Sequence, residues 1–123
     1  MELGMIGLGH MGSNMVQRLL KGGHRVVTYD QSTGPVIASQ AQGAVGSSSL
    51  EHLVSQLSRP RAVWIMLPAG HATQETIDSL IPLMSGGDTI IDGGNANYKD
   101  SIRRADKLAE YGLDFMDVGT SGG

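Results

Sequence analysis

Gly4-Met5-Ile6-Gly7-Leu8-Gly9-His10-Met11-Gly12-Ser13-Asn14-Met15 is the stretch from which the rest of the chain can be read. Leu3 to Ile6 form the end of a buried strand, and Met11, Met15 and Leu19 recur at four-residue spacing on a following helix. Between them Gly7, Gly9 and Gly12 spell G-x-G-x-x-G at a strand-to-helix turn. In that pattern the first glycine permits the tight turn and the second lets a pyrophosphate approach the backbone. The third lets the helix lie close to the strand, so that its positive N-terminus faces the phosphates. Glycine-rich turns are common, so the context matters. A second strand, Arg25 to Tyr29, ends at Asp30, 18 positions beyond Gly12. That is near the ~20 expected of the acid that binds an adenosine ribose. The stretch implies dinucleotide binding.

The remaining pattern alternates strand and helix. Glu2 to Ile6 is the first strand, and a helix from His10 to Lys21 ends at Gly22-Gly23. After Arg25 to Tyr29 comes a short helix from Pro35 to Gln42, with the proline in its first turn, then a brief strand at Ala44-Val45. Ser48-Ser49-Leu50-Glu51 has the spacing of a capping box, Ser48 as the cap and Glu51 three on, and opens a helix to about Leu57. Ala62 to Leu67 is an unbroken apolar run, as expected of a parallel strand covered on both faces. Pro68-Ala69-Gly70 breaks it, and a helix follows from His71 to Leu80, before Pro82. Thr89 to Ile91 is the fifth strand, closed by Asp92-Gly93-Gly94-Asn95. The helix from Tyr98 to Tyr111 has an expected inner stripe of Ile102, Ala105, Leu108 and Ala109. Its charges, Arg103 and Arg104 among them, read as a solvated face. Leu113 to Val118 is the sixth strand. Such alternation implies an α/β fold, a doubly wound parallel sheet with right-handed crossovers, and residues 1–123 read as one domain.

Composition narrows the function. At 123 residues the chain can bury a core without staples. It has no cysteine, which removes disulfides and thiolate zinc ligation and suits a reducing, cytoplasmic setting. A net charge of −3 argues against a nucleic-acid or acidic-membrane surface. No apolar run approaches the ~20 residues of a membrane span. A strand begins at once, so no signal peptide is expected. His10, His24, His52 and His71 are scattered, and no metal site is expected. Met5, Met11, Met15 and Met66 read as core filler, although Met11 sits inside the glycine loop, and Trp64 reads as sheet packing.

In doubly wound sheets ligands bind outside the carboxyl ends of the strands. Gly7 to Gly12, Asp30-Gln31-Ser32, Leu67-Pro68-Ala69-Gly70, Gly93-Gly94-Asn95 and Thr120 to Gly123 all lie there. Gly7-Leu8-Gly9-His10-Met11-Gly12, with Asn14-Met15 and Met66-Leu67-Pro68-Ala69-Gly70, resembles the 6-phosphogluconate dehydrogenase and β-hydroxyacid dehydrogenase superfamily. Ile90-Ile91-Asp92-Gly93-Gly94-Asn95-Ala96-Asn97-Tyr98-Lys99-Asp100, then Asp117-Val118-Gly119-Thr120-Ser121-Gly122-Gly123, resemble the decarboxylating 6-phosphogluconate dehydrogenases of the short bacterial type.

The resemblance covers essentially the whole chain and implies the N-terminal, Rossmann-type cofactor domain of a longer enzyme. It implies oxidation of 6-phosphogluconate at its 3-hydroxyl, with hydride transfer to nicotinamide and loss of carbon dioxide to give ribulose 5-phosphate. Gly7, Leu8, Gly9, His10, Met11 and Gly12 would hold the dinucleotide phosphates. Leu67, Pro68 and Ala69 would line the adenosine and nicotinamide side. Asn95 would touch both cofactor and sugar acid, and Ser121, Gly122 and Gly123 would bind the substrate. An asparagine amide offers both donor and acceptor, and bare glycine N–H groups suit an anion. The family's catalytic lysine, its partner asparagine or histidine, and its proton-donating glutamate would lie beyond Gly123. These residues alone are therefore expected to bind cofactor without turnover. Full-length relatives associate through a helical domain, so a homo-oligomer is expected of the whole enzyme only. At the end of the second strand NADP-dependent relatives carry Asn-Arg-Thr, whose arginine pairs with the 2′-phosphate. Here Asp30-Gln31-Ser32 offers a carboxylate and no cation, which predicts NAD as the cofactor. Two alternatives stand beside this reading: a β-hydroxyacid dehydrogenase of the 3-hydroxyisobutyrate type, and a non-catalytic dinucleotide-binding module on the same fold.

Overall fold

A computed structural model describes residues 1–67, 71–94 and 98–118. Six strands form one parallel sheet: β1 (Glu2–Ile6), β2 (Arg25–Tyr29), β3 (Val45–Gly46), β4 (Ala62–Ile65), β5 (Thr89–Asp92) and β6 (Asp114–Asp117). Their spatial order is β3-β2-β1-β4-β5-β6. The chain builds outward from β1 in one direction, then returns to its other side at β4. The crevice between the ends of β1 and β4 is thus the topological switch point where such sheets bind ligands. Helices α1 (His10–Lys21), α2 (Thr33–Ala41), α3 (Leu50–Ser55), α4 (His71–Leu80) and α5 (Tyr98–Ala109) alternate with the strands, and a 3-10 turn at Ile81–Leu83 carries Pro82.

Strand side chains alternate between two cores. Leu3, Met5 and Val26 pack with Val16 of α1 and Val36 of α2 on one face. Ile6, Val27, Val63, Ile65 and Ile90 pack on the other face with Leu53 of α3, Ile77 and Leu80 of α4, and Leu108 of α5. Both faces of the central strands are covered, which is why β4 reads as continuously apolar.

Two local expectations are corrected. Helix α3 is capped by Ser49, not Ser48: the Ser49 hydroxyl accepts the His52 N–H at 3.0 Å. The His52 Nδ1 accepts the N–H of Ser48, the residue before the cap, at 3.0 Å, and Glu51 stays exposed. On α5 the inward stripe is Ser101, Arg104, Ala105 and Leu108, while Ile102 is 49% exposed and Ala109 is exposed. Arg104 turns inward because a carboxylate distant in sequence, Asp92, waits for it on β5.

At the opposite end of the sheet Asp88 is fully buried. It accepts the Arg61 N–H at 2.6 Å, the Ser85 N–H at 2.8 Å and the Arg61 guanidinium at 3.2 Å. Burial alone would raise its pKa, but these bonds and the Arg61 charge outweigh it and hold the carboxyl below the usual range. A depressed folded value contributes stability that is fully present above the unfolded pKa of ~3.9 and lost as pH falls through the lower folded one. Urea unfolding is the check. Asp88→Asn is expected to lower the midpoint at neutral pH and flatten its decline between about pH 5 and 3. Equal slopes in wild type and variant would contradict this assignment.

Candidate functional site

The ends of β1, β2 and β4 meet with Ile6 opposite Tyr29 on one side and Ile65 on the other. The chain then turns through Gly7, whose N–H donates to the Tyr29 carbonyl at 3.0 Å. Gly7 sits at φ +96°, and a Cβ there would lie 2.5 Å from the Met66 carbonyl oxygen. A Cβ on Gly12 would lie 2.1 Å from the Gly7 carbonyl oxygen, so α1 rests directly on the turn. Gly9 differs: a Cβ added to it meets nothing within 4 Å. Two of the three glycines are required by the fold, and the third leaves room beside the backbone.

Gly9 is also the N-cap of α1, in extended conformation, with no side-chain cap and no acid in the first turn. The first N–H groups of the helix have no partner within it, and the helix dipole adds to their pull on an anion. The loop is held from below, where the Ser13 hydroxyl donates to the Leu8 carbonyl at 2.8 Å.

Asp30 closes the other side. Its Oδ2 accepts the Leu8 N–H at 2.7 Å, and its Oδ1 accepts the Ser32 N–H at 2.9 Å. The carboxylate is thereby fixed against the glycine loop, and each oxygen keeps a second lone pair for a ligand hydroxyl. Beside it opens a cavity of about 190 Å³, lined by Ile6, Gly7, Tyr29, Asp30, Gln31 and Leu67 from the strand ends. Leu50 of α3 and Glu75, Thr76 and Ser79 of α4 complete the wall. Among the described residues the lining holds two acids and no lysine or arginine.

Of the residues singled out from sequence, Gly7, Asp30, Gln31 and Leu67 line this cavity, and the Leu8 and Ser32 amides bind the Asp30 carboxylate. His10 and Met11 stand exposed at the start of α1, so Met11, expected in the core, lies outside it because it opens the helix beside the glycine loop; the His10 Nε2 lies 3.4 Å from the Asn14 amide. Pro68, Ala69, Asn95, Ser121, Gly122 and Gly123 lie outside the described residues. Sequence reasoning missed Tyr29, Leu50, Glu75, Thr76 and Ser79. Thr76 and Ser79 lie three apart on α4, a faint small-polar stripe, but only the strand order reveals that this stripe faces β1 and β2.

A larger cavity of about 570 Å³ lies between α4 and α5, lined by His71, Gln74, Asp100, Arg103, Arg104 and Lys107. Its fixed cations are already matched: Arg103 with Asp100 at 3.0 Å, Lys107 with Asp78 at 3.3 Å and Arg104 with Asp92 at 3.3 Å. The glycine loop takes no part in it. Among the described residues no group of three His, Asp or Glu side chains could hold a metal ion, and no helix is long and apolar enough to cross a membrane.

Residues 2–123 match the family described as the NAD binding domain of 6-phosphogluconate dehydrogenase. The chain is 42% identical over 123 residues to the NAD(+)-dependent, decarboxylating 6-phosphogluconate dehydrogenase of Haloferax volcanii, covering 100% of this chain and 40% of that protein. It is similar in structure to the 6-phosphogluconate dehydrogenase of Plasmodium falciparum, with a TM-score of 0.91 and 29% identity over 100% of this chain and 28% of that one. That enzyme was solved in its apo form, with NADP+ and with 6-phosphogluconate. The 3-hydroxyisobutyrate dehydrogenase of Mycobacterium tuberculosis has a TM-score of 0.89 at 23% identity, covering 99% of this chain and 41% of that one, a likeness of fold alone. The chain spans well under half the length of these relatives.

Proposed function

The chain belongs to the family of NAD-binding domains of 6-phosphogluconate dehydrogenase, and from that premise we propose that it binds NAD in preference to NADP and forms the cofactor domain of a longer enzyme that oxidises and decarboxylates 6-phosphogluconate. The observation that carries the cofactor preference is the Asp30 carboxylate, fixed by two backbone N–H groups in a cavity without a cation among its described lining residues. A carboxylate accepts hydrogen bonds from a ribose 2′-hydroxyl and repels a 2′-phosphate. The named cofactor preference of the Haloferax relative supports the same reading.

The residues present fit the group. Open space at Gly9 and the uncapped N-terminus of α1 suit a pyrophosphate, and Tyr29 and Leu50 offer apolar surface for an adenosine. Bound there, NAD supplies the hydride acceptor. The role of these residues is to bind and orient: Asp30 fixes the sugar, the Gly9 turn fixes the phosphates, and Asn95, Ser121, Gly122 and Gly123 are assigned to the substrate side. Asp92-Gly93-Gly94-Asn95 followed by Tyr98-Lys99-Asp100 favours the sugar acid over a 3-hydroxyisobutyrate-type substrate.

Calorimetric titration of the purified 123-residue chain tests the preference. NAD is expected to bind at least about tenfold tighter than NADP, a difference of ~1.4 kcal/mol. Equal or tighter NADP binding would refute the reading. The same polypeptide is expected to show no NADH production from 6-phosphogluconate, and detectable turnover in a preparation free of full-length enzyme would overturn its assignment as a binding domain.

A further inference from the structure

Helix α5 turns one charged side chain into the protein. Arg104 is 6% exposed and Asp92, the last residue of β5, is 1% exposed. The Arg104 Nη1 lies 3.3 Å from Asp92 Oδ2, and its Nε donates to the Gln74 Oε1 of α4 at 2.8 Å. The other oxygen of Asp92 accepts the Gly94 N–H at 2.9 Å. One end of this chain of bonds is therefore the backbone of a strand-end turn, and the other is anchored in two helices.

The turn itself has little room. A Cβ at Gly94 would lie 2.7 Å from the carbonyl oxygen of Leu67, a residue of the cavity wall. A Cβ at Gly93 would lie 2.2 Å from the Nε1 of Trp64, the lone tryptophan. A shift of Asp92 would thus be passed to Leu67 on one side and Trp64 on the other.

We propose that Arg104, anchored by Gln74, is a positioning residue: by holding Asp92 it sets the Gly94 backbone against Leu67, after β5 and β4 and so across the switch point from Asp30 at the end of β2, and shapes the nicotinamide side of a dinucleotide that spans the crevice. The proposal rests on the reading that the chain binds NAD. A buried ion pair is by itself weak evidence of stability, because desolvating both charges can cost more than their attraction returns. Burial pushes the Asp92 carboxyl above the usual range, the Gly94 N–H and Arg104 offset only part of that, and nearby Asp117 adds to the rise. With a raised folded value the contribution to stability is fully present below the unfolded pKa of ~3.9 and is lost as pH rises through the folded one. What the pair supplies in return is orientation.

The test compares NAD with ADP-ribose, which shares the adenosine, the phosphates and the second ribose but lacks nicotinamide. In Arg104→Met, NAD affinity is expected to fall about fivefold or more while ADP-ribose stays within about twofold of wild type. Trp64 emission is expected to shift in the free protein. Arg104→Lys restores a charge opposite Asp92 without the Gln74 bond and is expected to recover part of the loss. Should Arg104→Met fail to fold, Gln74→Met decides, with the same selective loss expected at smaller size. Parallel losses for both ligands, or none for either, overturn the positioning role alone. A wild type that binds neither ligand overturns the cofactor reading and this one with it.

Discussion

Gly12→Ala is expected to lower the melting temperature by roughly 10 °C or more, while Gly9→Ala melts like the wild type and loses NAD. The two glycines belong to one motif but answer to different neighbours. At Gly12 the added methyl would stand 2.1 Å from the Gly7 carbonyl oxygen, and both partners are backbone. No side chain can rotate away, so α1 must lift from β1 and disturb the contacts of Val16 beneath it. Overpacking of this kind costs about 3 kcal/mol or more when backbone must move, a large share of the ~5–15 kcal/mol that holds such a domain together. Gly9 sits at φ −67°, which any residue adopts, and its methyl would enter empty space. That space is the proposed seat of the phosphates, so NAD affinity should fall by about tenfold or more. Calorimetric melting with a parallel NAD titration separates the two outcomes. A Gly9→Ala chain that binds NAD as the wild type does would place the phosphates elsewhere.

The second large effect is expected at Asp30. Asp30→Ala should weaken NAD by roughly 10–100-fold, in line with the ~1.5–3 kcal/mol of a hydrogen bond to a charged group, while NADP affinity holds or improves. The variant removes two things at once, the acceptor for the ribose and the acceptor for the Leu8 and Ser32 amides. Asp30→Asn separates them, because its amide oxygen can still take the Leu8 N–H while the negative charge is gone. It is expected to retain most NAD binding and to narrow the gap to NADP. If Asp30→Ala weakened NAD and NADP by the same factor, Asp30 would act on the loop alone and not on the sugar.

What could be read from the residues was what local chemistry decides. Glycine at a strand-to-helix turn and alternating apolar strands located β1, α1 and β2 at the bounds the structure shows. Helix α5 is where that reading failed, because it assumed that charge faces water. Arg104 is buried by a partner on β5, and no periodicity within the helix can announce a partner from another element. Ile102, apolar and therefore assigned to the core, is left outside by the same rotation. At α3 two adjacent serines offered equivalent caps, and the choice of Ser49 follows from His52, whose ring reaches back to the Ser48 amide. The α4 wall of the cavity was invisible for a further reason: Thr76 and Ser79 become neighbours of Asp30 only once β4 is seated beside β1.

A crystal structure of the chain with NAD bound tests the central claim most directly. A ribose hydroxyl of the adenosine is expected within hydrogen-bonding distance of Asp30, and the pyrophosphate against Gly9 at the start of α1. An adenosine seated in the cavity between α4 and α5, or an Asp30 side chain turned away from the sugar, would contradict it.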